Sequence, residues 1–308
     1  MKRYIVTGGA GFIGSHIVET MLENGAEVFV IDNLTSGLRE NLPDHSGVHV
    51  LAMDILSCAP ADLPVSVDGI VHLAARPSVV DSWAHPMDVH QANLSSTIAV
   101  IELCRQLEIP RIVFASSASV YGNQEILPVD EGVCPNPASP YGLQKLASES
   151  YLNLFCGHYG ISAASLRFFN VYGPRQQPGS PYSGVISLLL DAMLEQQPFT
   201  IFGDGEQTRD FVYVKDVAGF VCRALQCDLP RRENTVLNIG SGQQVSINQL
   251  IELLRRHIPD WQAEIRHAPE RPGDIKRSQA DVAKAAAILG GATWDMETGL
   301  TQYLKDLL

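Results

Sequence analysis

The sequence predicts an α/β fold, a doubly wound parallel sheet with a smaller C-terminal domain at its edge, and three observations carry that expectation. Short apolar runs alternate with amphipathic stretches through the first two thirds of the 308 residues, the pattern of strand, crossover helix and strand. Each run is apolar almost throughout, as a strand covered on both faces must be. The first run ends in a glycine-rich turn that opens a helix.

Taken in order, strands are expected at Tyr4-Thr7, Val28-Ile31, Val48-Met53, Gly69-Ala74, Arg111-Ser116 and Ala163-Phe168. Right-handed crossovers between them place helices on both faces. Near Asn170 the character changes, because residues 173–181 are too rich in Gly, Pro, Gln and Ser for a core element. Beyond them, helices near Ser183-Glu195 and Ile247-His257 and a strand-like Val236-Ile239 are less regular. Residues 1–170 are thus expected to form the sheet domain, with 212–240 returning to it. The smaller domain takes 171–211 and 241–308.

Composition narrows the function. A chain 45% hydrophobic and 18% charged can bury a large core. The net charge of -12 comes without any Lys/Arg run, which argues against nucleic acid or an anionic membrane as a partner. Six cysteines, Cys58, Cys104, Cys134, Cys156, Cys222 and Cys227, show no CxxC and no Cys/His spacing, so neither a metal site nor a disulfide framework is expected. The first strand starts at Tyr4, leaving no room for a signal peptide, and no run of roughly 20 apolar residues could span a bilayer. A cytoplasmic protein is expected.

The first strand runs into Thr7-Gly8-Gly9-Ala10-Gly11-Phe12-Ile13-Gly14, with a helix expected at Ser15-Leu22. Glycines at 8, 11 and 14 suit a tight turn, close approach of backbone amides to a pyrophosphate, and close helix-sheet packing, with the helix N-terminus facing the anion. Eighteen residues after Gly14, the second strand ends in Asp32, whose carboxylate can accept both adenosine ribose hydroxyls and repels a 2′-phosphate. NAD is therefore favoured over NADP. The plain alternative is that Asp32 caps the following loop. Asp54-Ile55, after the third strand, is expected near the adenine edge, although an Asp there is often only a turn residue.

Tyr141-Gly142-Leu143-Gln144-Lys145 follows the turn-prone 137–140 and opens a helix with Leu146, Ala147, Tyr151 and Leu154 on its apolar side. An i, i+4 spacing stacks phenol and ammonium on one face. A free tyrosine, with a pKa near ~10, is a poor base at neutral pH, but a cation a few ångströms away favours the phenolate. The fifth strand ends in Ser116-Ser117-Ala118-Ser119-Val120-Tyr121-Gly122, so a serine hydroxyl stands at the sheet's C-terminal edge, where it can orient or relay a proton. Taken alone, a YxxxK is most often a surface Tyr with a solvated Lys; the three motifs in this order are much harder to produce by chance.

With these motifs the sequence resembles the extended short-chain dehydrogenase/reductase family of Rossmann-fold enzymes, in particular its nucleotide-sugar epimerases and dehydratases. The resemblance covers essentially the whole chain and includes Leu73-Ala74-Ala75, Asn93, 167–174 (RFFNVYGP), 203–205 (GDG), 208–214 (TRDFVYV) and Arg271-Pro272-Gly273-Asp274. It implies Ser117, Tyr141 and Lys145 as the catalytic set. Implied NAD contacts are Gly8, Gly11, Phe12, Ile13, Gly14, Asp32, Asn33, Asp54, Ile55, Leu73, Ala74, Ala75, Asn93 and Phe168, with Tyr141 and Lys145. Asn170, Arg209, Arg271 and Asp274 are implied as ligands of a UDP group, and Ser117 as a contact of the sugar. Two arginines also suit a diphosphate on chemical grounds, because each offers bidentate donors.

The dehydratases of this family carry an Asp and then a Glu after the second serine of the SSxxxYG segment, where this chain has Ala118 and Ser119. Without an acid to protonate a leaving hydroxyl, oxidation and re-reduction are favoured over elimination. The resemblance then implies a UDP-hexose 4-epimerase in which Tyr141 takes the 4-hydroxyl proton, C4 passes a hydride to tightly bound NAD, and the 4-keto sugar turns over before re-reduction. Ser278, four residues past Asp274, stands where the family gates the space beside C2, and a small residue leaves room for an N-acetyl group. The substrates expected are UDP-N-acetylglucosamine and UDP-N-acetylgalactosamine; UDP-glucose or UDP-glucuronate is the alternative, the latter wanting a cation such as Arg76 or Arg175. More remote are a net reductase, a dehydratase and a non-catalytic NAD-binding protein. Helices near Ala92-Gln106 and Leu143-Phe155, apolar on more than one face, are expected either to pair across a two-fold axis into a four-helix homodimer contact or simply to cover the sheet.

Overall fold

The computed structural model describes residues 1–177, 184–270 and 275–307. Seven parallel strands form its largest sheet: β1 (Arg3–Thr7), β2 (Glu27–Asp32), β3 (Val48–Ala52), β4 (Gly69–His72), β5 (Arg111–Ser117), β6 (Ser162–Phe168) and β11 (Asn234–Ile239). Their order is β3-β2-β1-β4-β5-β6-β11. Chain direction across the sheet reverses between β1 and β4, which opens a crevice at the C-terminal edge.

Side chains alternate along each strand, and both faces are apolar. Tyr4, Val6, Val28, Val30, Val71 and Val113 enter one core with α1 (Phe12–Glu23), α7 (Val214–Gln226) and α9 (Ala283–Leu289), through Ile17, Met21, Phe220, Val221 and Leu289. Ile5, Ile31, Ile70, Ile112 and Phe114 enter the other, with α4 (Ser96–Gln106) and α5 (Pro140–Tyr159), through Val100, Ile101, Cys104, Leu152 and Cys156. Full burial of one such side chain contributes about 1.5–3 kcal/mol relative to exposure, so the layer order follows from which residues can be covered. The doubly wound parallel sheet expected from the sequence is the fold observed.

A third core joins α6 (Val185–Leu194), α8 (Ile247–His257) and α10 (Met296–Leu307) through Leu189, Met193, Leu250, Leu254, Leu300 and Tyr303. Three short pairs frame it: β7 (Asn170–Tyr172) parallel to β10 (Phe211–Tyr213), β8 (Phe199–Phe202) parallel to β13 (Ile265–Ala268), and β9 (Thr208–Arg209) antiparallel to β12 (Val245–Ser246). α9 lies in sequence among these elements yet packs on the large sheet, because Ala285 and Leu289 fill the groove beside α7. No helix among the described residues is long and apolar enough to cross a membrane.

Local differences from the sequence reading have simple causes. α1 starts at Phe12, three residues early, since Gly11 already serves as its N-cap. Between α2 (Val79–Ala84), α3 (Pro86–His90) and α4, Gln91–Ser95 is a π-helical turn where one continuous helix was expected. α5 departs most. Of its expected apolar side, Leu146 and Ala147 are half-buried and Tyr151 and Leu154 are exposed, while Tyr141, Gln144, Lys145, Ser148 and Glu149 are buried. Hydrogen-bond partners supplied by the sheet make that polar face the buried one.

At the glycine turn, a Cβ added at Gly14 would lie 2.2 Å from the Gly8 carbonyl oxygen and 2.7 Å from the Gly9 Cα. Both atoms are backbone and cannot swing away. Gly14→Ala is expected to cost about 1–3 kcal/mol as an overpacked contact, read as a lower urea midpoint; an unchanged midpoint would show that the turn can open.

Candidate active site

The sheet's C-terminal edge collects the sequence motifs. Gly8 adopts φ +71°, a conformation glycine takes without strain, and its Cα faces the loop after β4: a Cβ there would sit 2.8 Å from the Ala74 amide nitrogen. Thr7 Oγ1 accepts from the Leu73 and Ala74 amides at 3.3 and 3.2 Å, which brings Leu73, Ala74 and Ala75 beside the turn. No side chain caps the N-terminus of α1 and its first turn carries no acid, so its amides face the crevice, a chemistry suited to a pyrophosphate. Phe12 and Ile13, half-buried, pack against the third core.

Asp32 is buried and accepts from the amides of Ala10 and Leu34, both at 2.9 Å. The carboxylate therefore does cap its loop, and each oxygen keeps a second lone pair for a hydroxyl donor. Asn33 Nδ2 donates to Asp54 Oδ2 at 3.0 Å, and Asp54 Oδ1 caps the short turn at Ile55–Ser57 by accepting from the Leu56 amide. Gly11, Gly14, Asp32, Asn33 and Asp54 thus lie around one end of the crevice, with Ile55 buried beneath. These residues fit an adenosine diphosphate half of NAD.

At the other end, Ser139 caps α5 by accepting from the Gly142 amide, and Pro140 occupies the first turn, where its missing N–H is harmless. Gly142 lets the helix approach the end of β5, since a Cβ there would be 2.6 Å from the Ser119 carbonyl oxygen. Tyr141 is thereby brought to Ser117, and Lys145 to the strand just before it. The Lys145 ammonium, only 4% exposed, donates to the Ala115 carbonyl at 2.7 Å and lies 4.7 Å from the Phe114 ring centroid and 5.9 Å from that of Tyr141. Ser117 Oγ accepts from the Ser119 amide and hydroxyl, the latter at 2.7 Å, so it stays a donor toward the crevice.

Electrostatics correct one expectation. Burial pushes the Tyr141 phenol up to about 12, against a smaller opposite pull from its hydrogen bond with Ser117. Burial also brings the Lys145 ammonium down to about 7, opposed by the charge of Glu149. The nearby cation alone does not make a phenolate, because desolvation penalises both charged forms. The Lys145 ammonium lies 5.9 Å from the Tyr141 ring centroid, close enough for the two groups to share the loss of one proton. The proton lost near 7 can leave either Tyr–OH with Lys–NH2 or Tyr–O⁻ with Lys–NH3⁺, and the second is a base at neutral pH.

The remaining residues are spread along the same edge. Phe168 is buried and in register with Ser117. Asn93, in the π-helical turn, accepts from the Arg76 amide at 2.8 Å and donates to Gln144 Oε1 at 2.9 Å, so its amide braces the loop after β4 against α5. Asn170 is exposed at the start of β7. Arg209 donates to the carbonyls of Thr208 and Ile275. Ser278 is half-buried beside Gln279, whose carbonyl accepts from the Val129 amide in the β5–α5 connection. Arg271 and Asp274 lie outside the described residues. Arg175 pairs with Glu19 on α1, and Arg76 lies 3.9 Å from Asp88.

Sequence reading missed the groups behind the pair. Glu149 accepts from Ser116 Oγ and from Arg167, and His72 sits between Thr7 and Thr97. The signal for Glu149 was its spacing, one turn past Lys145 on the same helix face.

The chain is similar to known proteins over nearly its whole length. Residues 4–240 match the model of the NAD dependent epimerase/dehydratase family. The chain is 40% identical, over 98% of its own length and 95% of the other's, to a Methanocaldococcus jannaschii protein bearing a provisional UDP-glucose 4-epimerase name. Among solved structures, UDP-N-acetylglucosamine 4-epimerase from Methanobrevibacter ruminantium, in complex with UDP-N-acetylmuramic acid, superposes with a TM-score of 0.92 at 35% identity, covering 100% of this chain and 99% of that one. UDP-glucose 4-epimerase from Thermotoga maritima, with UDP-glucose, gives 0.91 at 34% identity and 99% of both chains. With the doubly wound sheet, the glycine turn and the serine, tyrosine and lysine at one edge, these matches show that the chain belongs to the NAD dependent epimerase/dehydratase family.

Proposed function

We propose that the protein is a UDP-sugar 4-epimerase acting on UDP-N-acetylglucosamine and UDP-N-acetylgalactosamine, with Ser117, Tyr141 and Lys145 as its catalytic residues. The observation that carries the reading is the convergence of these three at the sheet edge with Ala118 and Ser119 where a dehydratase needs acids. Ser119 there supports Ser117 with its hydroxyl and offers no proton source of carboxylic strength. Tyr141 takes the proton from the sugar's 4-hydroxyl, Ser117 holds that oxygen, and Lys145 keeps the developing phenolate paired. The chemistry that bound NAD supplies is acceptance of a hydride from C4 and its return to the opposite face. Gly8, Gly11, Gly14, Asp32 and Asp54 would hold its adenosine diphosphate half, with Leu73, Ala74 and Ala75 beside the turn and Phe168 beside Ser117 as further contacts.

Asn170, Arg209 and Ser278, with Arg271 and Asp274, would hold the UDP-sugar in the segments 171–211 and 241–308. The half-buried small side chain at Ser278 supports room for an acetamido group, as does the resemblance to a UDP-N-acetylglucosamine epimerase. A UDP-glucose reading is favoured by the names of the other two relatives. The commitment of Arg175 to Glu19 weakens the case for a uronate. Exposed Leu143, Tyr151 and Leu154 on α5 and Ile98 on α4 support a homodimer joined through these helices. Such an enzyme would work in the cytoplasm, where nucleotide sugars are the free partner.

Tyr141→Phe is expected to abolish interconversion of UDP-sugars while leaving the circular dichroism spectrum unchanged. In the unaltered enzyme kcat/KM should rise with pH through a limb at or below about 7, where the pair loses its proton; the oxidised cofactor's positive charge pushes that limb downward. Turnover retained by the phenylalanine variant would remove Tyr141 from the role. For Ser278→Tyr, activity on UDP-N-acetylglucosamine should fall at least about tenfold against UDP-glucose, the discrimination of a filled pocket; equal losses would sink the gate. Sedimentation equilibrium should find Leu154→Arg monomeric and the parent dimeric, and a monomeric parent would end the dimer reading.

A further inference from the structure

Glu149 is 5% exposed, yet it bears a carboxylate in a region otherwise closed to water. Its Oε1 accepts from Ser116 Oγ at 2.5 Å and from Arg167 Nε at 3.0 Å, and its Oε2 accepts from Arg167 Nη2 at 2.7 Å. Arg167 in turn lies 4.7 Å from the Tyr121 ring centroid, and the Tyr121 hydroxyl donates to Asn238 Oδ1 at 2.6 Å. The carboxylate is therefore fixed from β5 and β6. A buried ion pair adds little to stability that apolar residues of the same volume would not, so its location is the informative part.

That location is the helix face carrying Tyr141 and Lys145. About 6 Å of helix rise separates Glu149 from Lys145, and about 12 Å from Tyr141. Its charge acts on Lys145. Other groups facing the ammonium cannot replace it. From β4, His72 is buried between Thr7 Oγ1 at 2.8 Å and Thr97 Oγ1 at 3.2 Å, and burial, with the Lys145 charge, brings it down to about 3, so it stays neutral. β5 contributes the Phe114 ring and the Ala115 carbonyl, and the π-helical turn contributes Asn93, bonded to Gln144. β6 contributes Arg167, a like charge, and β11 contributes Asn234, which donates to the Glu149 carbonyl at 3.1 Å.

We propose that Glu149 is a positioning residue for the base: held by Arg167 and Ser116, it keeps Lys145 the charged member of the pair, so that the missing proton is missing from Tyr141. The inference rests on the roles assigned above to Tyr141 and Lys145. Its physical content is a choice between two arrangements with the same proton count. An anion nearer to Lys145 than to Tyr141 favours ammonium with phenolate over amine with phenol, because the Coulomb energy falls with distance. No bond is made or broken by Glu149 itself.

The test uses NAD-loaded enzyme with UDP-N-acetylglucosamine and UDP-glucose, and the variants Glu149→Gln, Glu149→Asp and Glu149→Gln/Arg167→Met. The double variant removes both charges and so leaves no buried ion unpaired if the single change fails to fold. Removing the anion should move the acid limb of kcat down by roughly one pH unit or more. It should also lower the plateau about tenfold with KM changed less than about twofold, the mark of an interaction expressed in catalysis and not in binding. Phenolate absorbance, taken as the difference between each enzyme and its Tyr141→Phe counterpart, should fall in both variants lacking the carboxylate and return with Glu149→Asp. An unmoved limb with unchanged phenolate absorbance, in whichever of the two neutral variants folds, overturns the proposal and leaves Glu149 a structural residue. Lys145→Met separates the two levels: full activity there would overturn the catalytic reading itself, whereas an inactive Lys145→Met beside an unmoved Glu149→Gln limb would overturn only the role of Glu149.

Discussion

The polar face that α5 turns toward the sheet constrains everything around it. Lys145, Glu149, Gln144 and Ser148 lie where water does not reach, and each must find its partners within the protein. The partners come from two strands, a neighbouring turn and a neighbouring helix: the Ala115 carbonyl and Ser116 from β5, Arg167 from β6, Asn93 from the π-helical turn, and Thr97 of α4 for Ser148. The helix can therefore occupy one depth and one rotation. With that rotation set, Leu143 and Leu154 are left outward while Leu152 and Cys156 enter the core.

The same requirement explains where glycine is used. Gly142 removes the Cβ that would hold α5 away from the Ser119 carbonyl, and Gly14 removes the one that would hold α1 away from the first turn. Both contacts are between backbones, so no side-chain rearrangement could substitute for the missing atom. The two close approaches bring the catalytic helix and the helix whose amides face the crevice onto one edge of one sheet. Register does the rest, setting Ser117 beside Phe168 and Thr7 beside His72.

Desolvation has two effects that belong together. It raises the phenol of Tyr141 and lowers the ammonium of Lys145, so neither charge would form readily alone. It also strengthens the attraction between them once the pair has lost a proton, because the surroundings screen it poorly. A buried pair with one proton to lose near neutral pH is suited to removing a hydroxyl proton and giving one back. In the proposed reading the glycine turn and Asp32 would hold the cofactor opposite, and Ala118 and Ser119 offer no carboxylate to an elimination.

The amino-acid sequence by itself determined the fold class, the strands of the large sheet, the glycine turn and the identity of the serine, tyrosine and lysine, because each of these is encoded in local spacing: apolar runs of strand length, glycine every three residues, a phenol and an amine four residues apart. Tertiary structure alone decided which face of α5 is buried, that Asn93 spends its amide on Arg76 and Gln144, that Arg175 is held by Glu19, and that burial sets the proton affinities of Tyr141 and Lys145. Those outcomes depend on partners from segments far apart in the chain and on the exclusion of water, and neither quantity is written in the order of neighbouring residues. Glu149 stands between the two cases: its spacing from Lys145 was visible in the sequence, but its meaning required Ser116 from β5 and Arg167 from β6.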